Sequence, residues 1–185
     1  MMSYSNEYLK ELEILHDKKS FGAAGNPPAK VHELLNLDNV NSILDFGAGK
    51  GNTSKRIKQD YPDITLYTYD PVTFPIYLPK TVDMIYSSDV LEHIEPSLID
   101  ETLADLFSRA QEYQYHLIAC HPAKKTLSDG RNAHLIIEDP DWWKQKIQNI
   151  EGWKIIFEEI IERIATPKKG KQIQVVKYVV IMEKI

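Results

Sequence analysis

The chain has 185 residues, 43% hydrophobic and 26% charged, which is about one domain of ordinary globular sequence. Its formal net charge of −5 gives no reason to expect a nucleic-acid or membrane surface, and no apolar run approaches the ~20 residues of a membrane span. A lone cysteine, Cys120, excludes an internal disulfide framework and a cysteine-rich zinc site.

From the N-terminus, Met1 to Lys10 is polar and mixed in charge, unlike a secretory signal, so a cytoplasmic protein is expected. Tyr4, Tyr8, Leu12 and Leu15 share one helical face and predict an amphipathic helix over residues 4–16. Gly22, Gly25, Pro27 and Pro28 break the chain, and the two prolines suit the first turn of a second helix carrying Val31, Leu34 and Leu35. Residues 1–37 thus read as a helical arm on a single domain spanning 1–185. Ser42–Phe46 is a compact apolar strand running into Gly47-Ala48-Gly49-Lys50-Gly51, and a helix follows over about Asn52–Tyr61. Ile64–Tyr69 and Val82–Ser87 read as strands. Pro96 opens a helix whose Ile99, Leu103, Leu106, Phe107 and Ala110 keep a 3.6-residue period. Tyr115–Cys120 reads as a fourth strand, with Cys120 a buried, inert thiol. His121–Asp141 has the look of a long functional loop, and a short helix from about Pro140 carries Trp142, Trp143 and Ile147. Two strands, about Trp153–Ile164 and Ile173–Met182, close the chain as a hairpin around Thr166–Lys171. Strands alternating with helices imply an α/β fold: a doubly wound, mostly parallel sheet with an antiparallel C-terminal hairpin.

The chemistry concentrates in the glycine-rich turn. Without Cβ atoms the backbone can come close to a ligand, and the next helix offers unpaired N–H groups. Dinucleotide dehydrogenases place their third glycine three residues after the second. Here the glycines fall at 47, 49 and 51, and position 52 is Asn. Asp45, two residues before the first glycine, suits a ligand with an ammonium group better than a pyrophosphate. Asp70 ends the second strand, where a carboxylate can accept both hydroxyls of a ribose.

These residues resemble the class I (Rossmann-like) S-adenosylmethionine-dependent methyltransferases. Asp45 to Gly51 is similar to their first motif, Asp70 matches their acid after the second strand, and Ser87 to Ile94 is similar to the segment small-molecule members carry after their fourth strand. The resemblance implies S-adenosylmethionine as cofactor, held by Asp45, Phe46, Gly47, Ala48, Gly49, Gly51, Asp70, Pro71, Asp89 and Val90. Only residues 71–81 separate Asp70 from the next strand, and Pro71, Pro75 and Pro79 are among them. The family's outer third strand and its helix are therefore expected to be missing, with residues near Pro71–Phe74 taking over the adenine contact. The loop's Lys124-Lys125, the run Asp129 to His134 and the paired tryptophans are also similar to a small bacterial and phage-type subset.

Methyl transfer needs orientation, and a base only where the nucleophile must lose a proton. His93, His121 and His134 are the candidate bases, His121 and His93 foremost, each with a structural hydrogen-bonding role as the alternative. Lys124, Arg131, Asn132, His134 and Trp143 are the candidate acceptor contacts, with Arg131 gripping an anionic group. The alternatives are an Arg131 paired with Asp129 or Asp139, and one of the two tryptophans in the core. His121, Asp129 and His134 lack regular metal-ligand spacing, and no metal is expected. Asn26-Pro27-Pro28 resembles part of an amino-methylating nucleic-acid motif, but Ala29 stands where its aromatic should be. The expected activity is methylation of a small or peripheral polar or anionic acceptor. A cofactor-binding module without catalysis, or a nicotinamide-dependent oxidoreductase, are the other readings.

Overall fold

A computed structural model describes residues 4–75, 78–166 and 172–185. The first three residues, Ile76–Tyr77 and the expected hairpin turn at Pro167–Lys171 lie outside it. Ser5 caps the first helix, α1 (Asn6–His16), by accepting a hydrogen bond from the Tyr8 amide. Pro28 precedes α2 (Ala29–Leu35), so the prolines sit just before the helix and not within its first turn. The further helices are α3 (Asn52–Asp60), α4 (Ile99–Arg109) and α5 (Pro140–Ile147), the last capped by Asp139.

Among the described residues six strands form one sheet: β1 (Ser42–Phe46), β2 (Thr65–Tyr69), β3 (Val82–Ser88), β4 (Ala110–Ala119), β5 (Trp153–Ala165) and β6 (Ile173–Lys184). Their order is β2-β1-β3-β4-β6-β5. The first four are parallel, and β6 runs antiparallel to both β4 and β5. Neighbouring residues on a strand face opposite sides, and each side has its own core. Leu44, Ile85, Val180 and Met182 pack with α4 and α5, whereas Ile43, Met84, Val179 and Ile181 pack with α2 and α3. That two-sided burial explains why the central strands read as continuous apolar runs. β5 covers an edge, and its Ile156, Ile160 and Ile164 stay exposed.

The crossing from Asp70 to β3 carries no helix or strand among the described residues, only an isolated bridge between Asp70 and Phe74. β2 is therefore an edge. Two boundaries differ from expectation. Pro96 starts a turn and α4 begins at Ile99, while Ala110, assigned by period to the helix, already opens β4. The polar Gln111, Glu112 and Gln114 hide that strand's first half from a hydrophobicity reading. Cys120 is half-buried, and burial pushes its thiol up to about 12.

Candidate active site

Parallel strands end at a common edge, and in open α/β sheets the crevice there receives ligands. A cavity of about 500 Å³ opens at that edge, a size suited to a cofactor. Its walls come from the ends of β1, β2, β3 and β4, from α1 and the segment after it, and from the loop beyond His121.

The glycine turn is stitched to β2, because the Gly47 and Ala48 amides both donate to the Tyr69 carbonyl, at 2.8 and 2.9 Å. All three of its glycines have positive φ. The space a Cβ would need is taken by protein: on Gly47 it would lie 2.4 Å from the Val90 methyls, and on Gly49 2.6 Å from the Gly22 α-carbon. The turn is therefore clasped between the end of β3 and the segment after α1, and the close approach these glycines permit is to those neighbours.

Asp45 is buried, and its carboxylate accepts from the Ser54 hydroxyl at 2.5 Å, which in turn accepts from Thr68. Burial pushes its carboxyl up to about 6. Asp70, also buried, accepts from the Gly49 amide at 3.1 Å on one oxygen and from the Val72 and Thr73 amides on the other. His16 from α1 brings Nε2 to 3.6 Å from the same carboxylate. Asp89 has a φ of 55°, and Lys177 from β6 donates to both its oxygens at 2.6 and 2.8 Å.

Three histidines share one side of the cavity. The Nδ1 of His93 faces the Ala133 carbonyl at 2.6 Å, that of His134 faces the His121 carbonyl at 2.5 Å, and that of His121 faces the Val176 carbonyl at 2.8 Å. A carbonyl only accepts, so each Nδ1 carries the proton and each Nε2 keeps a lone pair. The His134 ring stands edge-on to both others, 4.9 Å from His93 and 5.6 Å from His121. Burial lowers His93 to about 4 and lowers His134 as well, which keeps both imidazoles neutral near pH 7. Behind them sits Glu92, 0% exposed. Neither of its carboxylate oxygens has a hydrogen-bond partner among the described residues. Burial, reinforced by Asp89, pushes its carboxyl well above the usual range; the Glu92 and Ala119 amides oppose this without hydrogen-bond geometry.

The structure gathers most of the expected residues. Asp45, Phe46, Gly47, Ala48, Gly49, Asp70, Pro71, Asp89, Val90, His93, His121, Lys124 and His134 all line the cavity. Four do not. Gly51 turns toward the Phe74 ring at the start of α3. Arg131 is exposed and bound to Asp129, so the pairing alternative holds. Asn132 clasps Ala123 through both backbone groups and pins the neck of the loop. Trp143 is wholly buried in the core below α5, not in a pocket wall. Sequence reasoning missed Tyr4, Tyr8, Leu12, His16 and Phe21, which line the cavity from the N-terminal side, and Lys177 from β6. The apolar face of α1 signalled burial without saying against what.

Comparisons with known proteins agree with this architecture. A family model described as a methyltransferase domain matches residues 22–161. No curated protein sequence matches the chain. Among solved structures, a 1,6-didemethyltoxoflavin-N1-methyltransferase from Burkholderia thailandensis, with its substrate and S-adenosylhomocysteine bound, superposes with a TM-score of 0.62 at 13% identity, covering 100% of this chain and 92% of its own. A S-adenosylmethionine-dependent methyltransferase from Methanosarcina mazei gives 0.59 at 11% identity, covering 86% and 99%. TehB from Haemophilus influenzae gives 0.56 at 13% identity, covering 95% and 67%. At such identities the likeness is one of fold. No helix among the described residues is long and apolar enough to cross a membrane.

Proposed function

Starting from the chain's membership of the methyltransferase-domain family, with S-adenosylmethionine as its cofactor, we propose that it methylates a small polar acceptor held beside the histidine wall. The observation that carries this reading is one continuous cavity with two unlike ends. Around the glycine turn, Asp45 and Asp70 supply carboxylates for an ammonium group and a ribose, which fits the cofactor. The sulfonium of the bound cofactor supplies an activated methyl group. Asp45 binds and orients its amino-acid end, Asp70 its sugar, and α1 with Phe21 shields the site from water.

At the other end, His121, His134, His93 and Lys124 meet an acceptor with donors and lone pairs. His121, its Nδ1 proton held by the Val176 carbonyl, offers Nε2 to take a proton from an acceptor hydroxyl or amine. The Burkholderia neighbour is an N1-methyltransferase with 1,6-didemethyltoxoflavin bound, which supports an acceptor of small-molecule scale. Calorimetry with S-adenosylmethionine, S-adenosylhomocysteine and NAD tests the cofactor: the first two should bind and NAD should not. Release of S-adenosylhomocysteine across a panel of small polar acceptors tests the reaction. Cofactor binding with no turnover on any of them would favour a module without catalysis.

A further inference from the structure

The geometry points to a divalent metal site of the zinc class formed by Glu92, His93 and His134, with its open side toward the acceptor end of the cavity. One donor atom from each of the three residues lies within 4.8 Å of the others. The separation from Glu92 Oε1 to His134 Nε2 is 4.0 Å. Zinc takes nitrogen and oxygen ligands at ~2.0–2.2 Å, so its ligand atoms stand roughly 3–3.5 Å apart, and small side-chain rotations close the difference.

Three independent features favour a cation here. The first is Glu92, a fully buried carboxylate with no hydrogen-bond partner at either oxygen among the described residues, which is costly unless something positive meets it. Lys177, whose charge acts on Glu92, is already engaged by both oxygens of Asp89. The second is the tautomers. His93 and His134 each donate Nδ1–H to a backbone carbonyl, the outer contact that orients metal-binding imidazoles and leaves Nε2 as ligand. The third is coordination number. Two imidazoles and one carboxylate are the protein ligands of a catalytic site that keeps a position free. His93 and His134 line the cavity and Glu92 lies behind them, so that free position faces the acceptor. The expectation of no metal came from His121, Asp129 and His134; the set formed here spans 42 positions of sequence and has no readable spacing.

The inference deepens the proposed reading, since the ion would bind the acceptor's oxygen or nitrogen, but its test stands apart from cofactor binding. Untagged protein stripped with chelator is titrated with zinc chloride by calorimetry, with thermal melts alongside. The expected result is one saturable equivalent and a melting temperature that climbs with zinc concentration. Glu92→Gln and His134→Ala should each weaken zinc by more than ~100-fold, beyond the 10–100-fold typical of outer contacts. Without metal, Glu92→Gln should melt at or above the native temperature, because it removes an unpaired buried acid. Cobalt in place of zinc should give visible ligand-field bands that Glu92→Gln abolishes. Should Glu92→Gln fail to fold, His93→Ala and His134→Ala carry the test. Absence of saturable binding, or equal binding by the variants, overturns the site and leaves Glu92 a protonated buried acid. A parallel titration with S-adenosylhomocysteine separates the two readings. Zinc binding without it would leave the metal site standing and defeat the cofactor assignment; the reverse would defeat only the metal.

Discussion

Asp70 Oδ2 accepts a hydrogen bond from the Gly49 amide at 3.1 Å, so the acid that ends β2 also holds the turn that follows β1. One carboxylate thus shapes the glycine turn and lines the cavity beside it. Asp70→Ala should reduce S-adenosylmethionine affinity roughly ten- to a hundredfold, as a lost charged hydrogen bond of ~1.5–3 kcal/mol implies. It should also lower the melting temperature, because the Gly49, Val72 and Thr73 amides lose their acceptor. Asp70→Asn should keep more of the stability than of the affinity. Calorimetry and thermal melts read both, and unchanged affinity in a folded Asp70→Ala protein would remove Asp70 from the site.

With Asp45 holding the cofactor's ammonium group as proposed, cofactor binding should depend on pH. Its carboxyl is raised by burial to about 6 from 3.8, so its neutral form is favoured in the folded protein. The stability this contributes is fully present below pH 3.8 and is lost as pH rises through about 6. Binding of an ammonium group runs the opposite way, since it needs the ionised carboxylate. Affinity for S-adenosylmethionine should therefore rise about tenfold between pH ~5 and ~7 and then level off. Asp45→Asn should bind weakly with a flat profile; a flat profile in the native protein would contradict the role.

Gly49 and Gly130 separate packing from backbone conformation. Both have positive φ, but a Cβ on Gly49 meets the Gly22 backbone and one on Gly130 meets nothing within 4 Å. Gly130→Ala should cost only the left-handed strain, about 1–2 kcal/mol, and leave the cofactor bound. Gly49→Ala should cost more in denaturant unfolding and also weaken the cofactor by displacing the turn. Equal costs would mean that the Gly22 contact yields easily.

Arg131→Ala should leave the melting temperature, cofactor affinity and turnover unchanged, since the guanidinium is exposed, bound to Asp129 and outside the cavity. Trp143→Ala should cost about 3–5 kcal/mol, the range for emptying a large aromatic site in a core. A turnover defect in Arg131→Ala would return that residue to the acceptor.

Where local pattern and tertiary role coincide, the sequence was readable. The strand Ser42–Phe46, the turn at Gly47 and the acid at Asp70 follow one another in the order that builds the crevice, and the short crossing to β3 carries no strand among the described residues, as its length implied. Roles fixed by distant partners were not readable. Arg131 and Lys124 look alike as loop cations, yet one pairs outward and the other lines the cavity. Adjacent Trp142 and Trp143 meet edge to face, their ring centroids 5.0 Å apart, and only the packing of α5 shows that Trp143 is the one wholly buried. Glu92 and His134 come together because the turn after β3 and the loop after β4 leave the same edge of the sheet, a relation no local spacing encodes.

The segment after α1 lies across the glycine turn: the Gly22 carbonyl accepts from the Lys50 amide at 2.8 Å, and its α-carbon fills the space above Gly49. Tyr8 on α1 ties the same stretch of chain to the His93 carbonyl. The N-terminal helix and the segment after it are thus fastened both to the glycine turn and to the turn after β3, so the outer wall of the cavity and its floor share one set of anchors.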